Sequence, residues 1–121
     1  MRAACDAARD FGDIQGLTDE EIARLCIVVE EWVSNLFEHG GLTGKAEIEL
    51  TFSSETDGIR IIISDSSRPF DPREFPRTVL QPERGGGAGI HIIRAWAELV
   101  AYDSTAEGNR LELMLPIRWN D

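Results

Sequence analysis

The chain has 121 residues, 42% of them hydrophobic and 28% charged, which suits one domain with a core of its own. Twelve basic residues stand against 22 acidic ones, a net charge of −10, and so acidic a surface repels phosphate backbones and argues against nucleic acid as a direct partner. No run approaches the ~18 apolar residues of a membrane span, and the start MRAACDAARDFGD has neither the basic nor the apolar region of a signal peptide, so a soluble cytoplasmic protein is expected.

Met1 to about Phe11 reads as a short helix with Ala3, Ala4, Ala7 and Ala8 along it, broken by Gly12 and Gly16. Thr18-Asp19-Glu20-Glu21 is a capping box that opens a second helix. From there Ile22, Leu25, Cys26, Val29, Trp32, Val33 and Leu36 recur with a 3.6-residue period, and His39-Gly40-Gly41 should end the helix. Cys26 lies in this apolar stripe and reads as a small core hydrophobe; with Cys5 it forms no CxxC or zinc-ligand pattern. Two strands follow, Glu47–Ser53 and Ile59–Asp65, with Asp57-Gly58 as the hairpin signal between them. Residues 66–89 form a long loop holding four of the five prolines and ending in a glycine run. A helix from Gly89 to about Leu99 comes next. Strands at Val100–Ser104 and Arg110–Ile117 close the chain, joined across Glu107-Gly108-Asn109. The expected architecture is α+β: a two-layer sandwich with helices on one face of a mostly antiparallel, mixed sheet.

Three places could carry chemistry. On the long helix, Glu31, Asn35 and Glu38 share a face turned away from the apolar stripe. Taken alone, that is a solvated polar face, yet a carboxylate one turn from an amide is also a base beside an oxygen ligand for Mg²⁺. The run Gly85-Gly86-Gly87-Ala88-Gly89 before Ile90 presents free amides at a helix amino end, where phosphate oxygens bind. It fits neither the dinucleotide-binding pattern nor the P-loop, and an ordinary flexible loop would look the same. Asp65, closing a very apolar strand, can accept from an amino group or simply form a turn.

Taken in order, Glu31-x-x-x-Asn35, then Asp65-x-Ser67-x-Pro69, then Gly87-x-Gly89 resemble the N, G1 and G2 boxes of the GHKL ATPase superfamily, here residues 28–40, 65–72 and 85–91. The stretches VVEEWVSNLFEHGG, DSSRPFDP and GGAGIHIIRAWAELVAY are most similar to bacterial anti-sigma factor serine/threonine kinases. The resemblance covers about residues 18–117 and implies the ATP-binding fold of that superfamily.

It also implies roles. Glu31 would be the general base, and Asn35 would hold Mg²⁺. Asp65, with Ser67 and Pro69 in its box, would read the adenine. Gly85, Gly86, Gly87, Ala88, Gly89 and Ile90 would offer amides to the phosphates, and residues 68–86 would form the ATP lid. Segment 68–84 carries a net charge of +1, which leaves −11 for the rest and favours entry of ATP at the lid; its arginines read equally well as surface ion pairs. The implied partners are a sigma factor or other regulatory protein, which the kinase sequesters, and a STAS-type antagonist, which it phosphorylates.

Two departures qualify the pattern. Ser67 stands where the G1 box usually has glycine, and a side chain there crowds the adenine if the backbone must come close or needs φ > 0. A non-catalytic partner-switching module with weak or lost nucleotide binding is therefore the alternative. The family commonly has a strand before its first helix, and this sequence begins in that helix: either the strand lies outside this sequence, or the sheet lacks an edge strand that a partner or a second copy in a homodimer would supply. The detached catalytic domain of a histidine kinase is a third, weaker reading, because no phospho-acceptor histidine segment precedes the N box.

Overall fold

A computed structural model describes residues 2–38, 41, 47–69, 71–74 and 88–119. Its elements run α1 (Arg2–Gln15), α2 (Asp19–Glu38), β1 (Glu49–Glu55), β2 (Gly58–Asp65), a 3₁₀ turn (Pro72–Glu74), α3 (Ala88–Trp96), β3 (Glu98–Thr105) and β4 (Gly108–Pro116). Among the described residues no helix is long and apolar enough to cross a membrane.

The capping box forms as its residues dictate. The Thr18 amide donates to Glu21 Oε1 at 2.8 Å, and the Glu21 amide donates to Thr18 Oγ1 at 3.1 Å. α1 extends further than expected, through Gly12 to Gln15, and closes on Gly16 at φ +78°. Gly12 does not break the helix, because its missing side chain is what the packing uses. A Cβ there would lie 2.7 Å from Ile22 Cγ1 of α2. Cys5 and Cys26 face each other across these two helices as free thiols, the Cys26 thiol donating to the Cys5 carbonyl at 3.4 Å. The Cys5 thiol is pushed up to about 12 by its hydrogen bond with Cys26, then by burial and by Glu30. It stays protonated at neutral pH and is a poor nucleophile.

The sheet has the order β1-β2-β4-β3, and every neighbouring pair is antiparallel. The expected α+β sandwich on a mostly antiparallel sheet is what forms, and among the described residues no parallel pair makes the sheet mixed: the α3 crossover returns β3 parallel to β2, with β4 between them. Both hairpins turn one or two residues earlier than the glycine signals suggested. Glu55 pairs with Gly58 and Thr105 with Gly108, so Thr56-Asp57 and Ala106-Glu107 are the turns and each glycine is already in the ladder. β1 lies two residues later than expected. α3 stops at Trp96 instead of Leu99, because Glu98 and Leu99 pair with Met114 and Leu113 of β4. A bulge between Leu99 and Ala101 leaves Val100 exposed.

Alternation along β2 and β4 turns Ile59, Ile61, Ile63, Leu111, Leu113 and Leu115 inward, where they meet Val29, Trp32, Val33 and Leu36 of α2 and Ile90 and Ile93 of α3 in one core. The opposite sheet face is polar. There Glu112 is buried between Arg60 and Arg110, and Arg60 also pairs with Glu55. At about 1.5–3 kcal/mol per fully buried Leu or Ile, the inner face dominates stability. Ile61→Ala should therefore cost about 2–5 kcal/mol. Thr18→Ala, which removes one cap, should cost about 1 kcal/mol. Urea unfolding with an unchanged m-value checks both.

Candidate functional site

The polar face of α2 is not solvated as the helix alone suggested, because α3 packs against it. Asn35 is only 5% exposed, and its Nδ2 donates to the Glu31 carbonyl at 2.7 Å. Back-bonding of this kind fixes the amide and leaves Oδ1 without a donor among the described residues. Glu31 is half-buried, and its carboxylate lies over the first turn of α3. A Cβ on Gly89 would come within 2.4 Å of Glu31 Oε2 and 3.4 Å of Asn35 Nδ2. Glycine here leaves room for the Glu31 carboxylate. A carboxylate oxygen at the amino end of a helix is also favourably placed toward its free amides and dipole.

A second cluster closes β2. Asp65 is 6% exposed. Its Oδ1 accepts from the Ser67 amide at 2.9 Å, from Ser67 Oγ, and from Asn109 Nδ2 at 3.0 Å. Its Oδ2 is buried with no hydrogen-bond partner among the described residues. A buried acceptor in that state is costly to leave unmet, so it fits a ligand that brings an N–H donor. No described residue other than glycine has a positive φ, so Ser67 is unstrained, and its hydroxyl turns onto Asp65. Of the two conditions for crowding at Ser67, a left-handed backbone is not met.

Asn109 went unnoticed in the sequence, where it reads as part of a turn. It is 4% exposed on β4, directly across from Asp65 on β2 and Ser104 on β3. The alternation Asn109, Leu111, Leu113, Leu115 on one inward face was the signal that could have found it.

The segment after Asp65 is pinned at several points. Arg68 packs against Gly41, beyond the end of α2, where an added Cβ would lie 3.2 Å from Arg68 Nη2. Arg73 holds Asp71 through two guanidinium nitrogens and also donates to the Tyr102 carbonyl at 3.1 Å. That guanidinium keeps the Asp71 carboxyl below the usual range. Arg94 of α3 donates to the Pro72 carbonyl. Arg73 therefore forms an ion pair, the plainer of the two readings of the lid arginines. Pro69 is exposed, and the Ile90 side chain is in the core. Gly85, Gly86, Gly87 and lid residues 75–86 lie outside the described residues; Ala88 begins α3. The structure thus joins Glu31, Asn35 and Gly89 in one cluster and Asp65, Ser67 and Asn109 in another.

Residues 1–115 match the family described as the histidine kinase-like ATPase domain. Among curated proteins no match is found. Among solved structures, the histidine kinase domain from the Erythrobacter litoralis EL346 blue-light activated histidine kinase is similar, with 21% identity and a TM-score of 0.51 over 80% of this chain and 45% of that one. The chain spans less than half of that structure, and the likeness is one of fold.

Gly89→Ala tests the first cluster. The new methyl should push the Glu31 carboxylate off α3, and because that carboxylate ends a flexible side chain, stability should change by no more than about 1 kcal/mol. A crystal structure of the variant and its urea midpoint report the two effects separately.

Proposed function

The chain belongs to the histidine kinase-like ATPase family, and we propose that it is an ATP-dependent serine/threonine protein kinase of the anti-sigma type, which sequesters a regulatory partner such as a sigma factor and phosphorylates a STAS-type antagonist. The observation that carries this reading is the convergence of Glu31 and Asn35 on Gly89 at the amino end of α3. Phosphoryl transfer asks mainly for positioning and charge neutralisation, and in this reading the helix amides beside Glu31 and a cation on Asn35 would provide them.

In this reading Asp65 Oδ2 accepts from the adenine amino group, which relieves its burial without a partner. Amides at the start of α3 hold the phosphates. Asn35 Oδ1, which accepts from none of the described residues, fits a cation that keeps most of its ligands as water and phosphate oxygens. Mg²⁺ bound there would neutralise charge on the phosphates. Glu31 takes the proton from the antagonist's Ser or Thr hydroxyl as that oxygen attacks the γ-phosphorus, and the bond to the β,γ-bridging oxygen breaks to release ADP. The anti-sigma assignment rests on the three sequence stretches around the boxes. Ser67, the feature that favours a non-catalytic module, does so through a close approach to the base and not through a left-handed backbone. The fold likeness to a histidine kinase domain supports a second reading, in which the acceptor is a histidine on another protein.

Isothermal titration with Mg·ATP should show binding, and no heat at millimolar nucleotide would sink both kinase readings. With γ-labelled ATP and a STAS-type acceptor, the phosphorylated product should resist acid, as phosphoserine does; an acid-labile product would turn the assignment to histidine. Glu31→Ala should slow transfer by about 10²- to 10⁴-fold while partner capture persists. Equal transfer by this variant removes Glu31 from the base role.

A further inference from the structure

The polar cluster at the end of β2 extends across the sheet. Asp65, Asn109 and Ser104 are register partners on the neighbouring strands β2, β4 and β3. Ser104 Oγ donates to Asn109 Oδ1 at 2.7 Å, which decides which end of the amide faces β2. Asn109 Nδ2 then spends its two hydrogens on Asp65 Oδ1 at 3.0 Å and on the Ser67 carbonyl at 2.8 Å. Ser67 adds its amide and its hydroxyl to the same Asp65 oxygen. One carboxylate oxygen is saturated by three donors. The other is buried and has none among the described residues.

We propose that Asn109, oriented by Ser104 and assisted by Ser67, is a positioning residue that fixes Asp65 so that Oδ2 alone meets the base, making the site selective for a purine with an amino group at C6. This rests on the ATP reading above and goes further by assigning the selectivity to residues behind the aspartate. A carboxylate free to rotate would present either oxygen and spread its acceptor strength over two directions. Held by three donors on one side, it presents one acceptor in one place. A base with a carbonyl at C6 sets two acceptors face to face, and a base with only hydrogen there leaves Oδ2 unmet.

The test measures affinities of ATP and of purine riboside 5′-triphosphate, which lacks only the amino group, for the full chain and for Asn109→Ala, Ser104→Ala and Ser67→Gly. The unaltered protein should favour ATP by about 10- to 100-fold. Asn109→Ala should lose most of that preference through weaker ATP binding, with the affinity for the analogue unchanged. Ser104→Ala removes an exposed hydroxyl and should lower the preference a few-fold; it decides the matter if Asn109→Ala does not fold. Equal weakening of both nucleotides, or an undiminished preference in Asn109→Ala and Ser104→Ala, overturns the inference. If the unaltered protein binds both nucleotides alike, the positioning role falls and the ATP reading stands. If it binds neither, both fall.

Discussion

Two helices approach only as closely as the residues between them permit, and at Gly89 there is no side chain to hold α3 away from α2. Much else follows from that contact. α2 must serve three neighbours at once, α1 through Ile22 and Cys26, the sheet through Val29, Trp32, Val33 and Leu36, and α3 through the turn that carries Glu31 and Asn35. α3 in turn seats Ile90 and Ile93 in the same core, so the position of its amino end is set by apolar packing and not by the polar groups it meets. The carboxylate of Glu31 is therefore brought to the helix end by the core.

The two polar clusters are built on different principles. Glu31 is half-buried at the end of a flexible side chain, held near its neighbours by a glycine's open space. Asp65 is almost fully buried and is oriented by a chain of hydrogen bonds across three strands. In the proposed roles, a group that exchanges a proton benefits from some freedom to adjust, whereas a group that reads a base by its hydrogen-bond pattern benefits from having none. Between them, Arg73 and Arg94 tie the 3₁₀ turn to β3 and α3 through backbone carbonyls, which steadies the chain just past the Asp65 cluster.

Most of the architecture was legible in the sequence, because the long helix and the strands Ile59–Asp65 and Arg110–Ile117 carry strong periodicity and the capping box is a local signal. Boundaries were missed where local chemistry and long-range pairing disagree. Ser54 and Glu55 are polar enough to look like loop, yet they continue the β1 ladder because β2 offers partners. Gly58 and Gly108 look like turn residues, yet both are paired. The candidate site divides in the same way. The spacing of Glu31, Asn35, Asp65 and Gly89 could be read along the chain, but the burial of Asn35 could not, since it depends on α3 arriving on a face that looks solvated. Asn109 was invisible for a related reason: an Asn after a Gly signals a turn, and only the register across β4 shows it pointing inward.

The bulge at Val100 has an effect out of proportion to its size. Side chains on a strand alternate, so Leu99 and Tyr102, three positions apart, belong on opposite faces of a regular ladder. The extra residue changes that parity. Leu99 stands opposite Leu113 and Tyr102 opposite Leu111, so both face the core, and the Tyr102 ring meets Trp32 edge-on at 6.3 Å. Beyond the bulge the restored phase continues to Ser104, which thereby falls opposite Asn109. A deletion of one residue at Val100 would leave the composition of β3 nearly unchanged and yet turn Ser104 to the far side of the sheet, so that a site at one end of the strand depends on a count of residues made at the other.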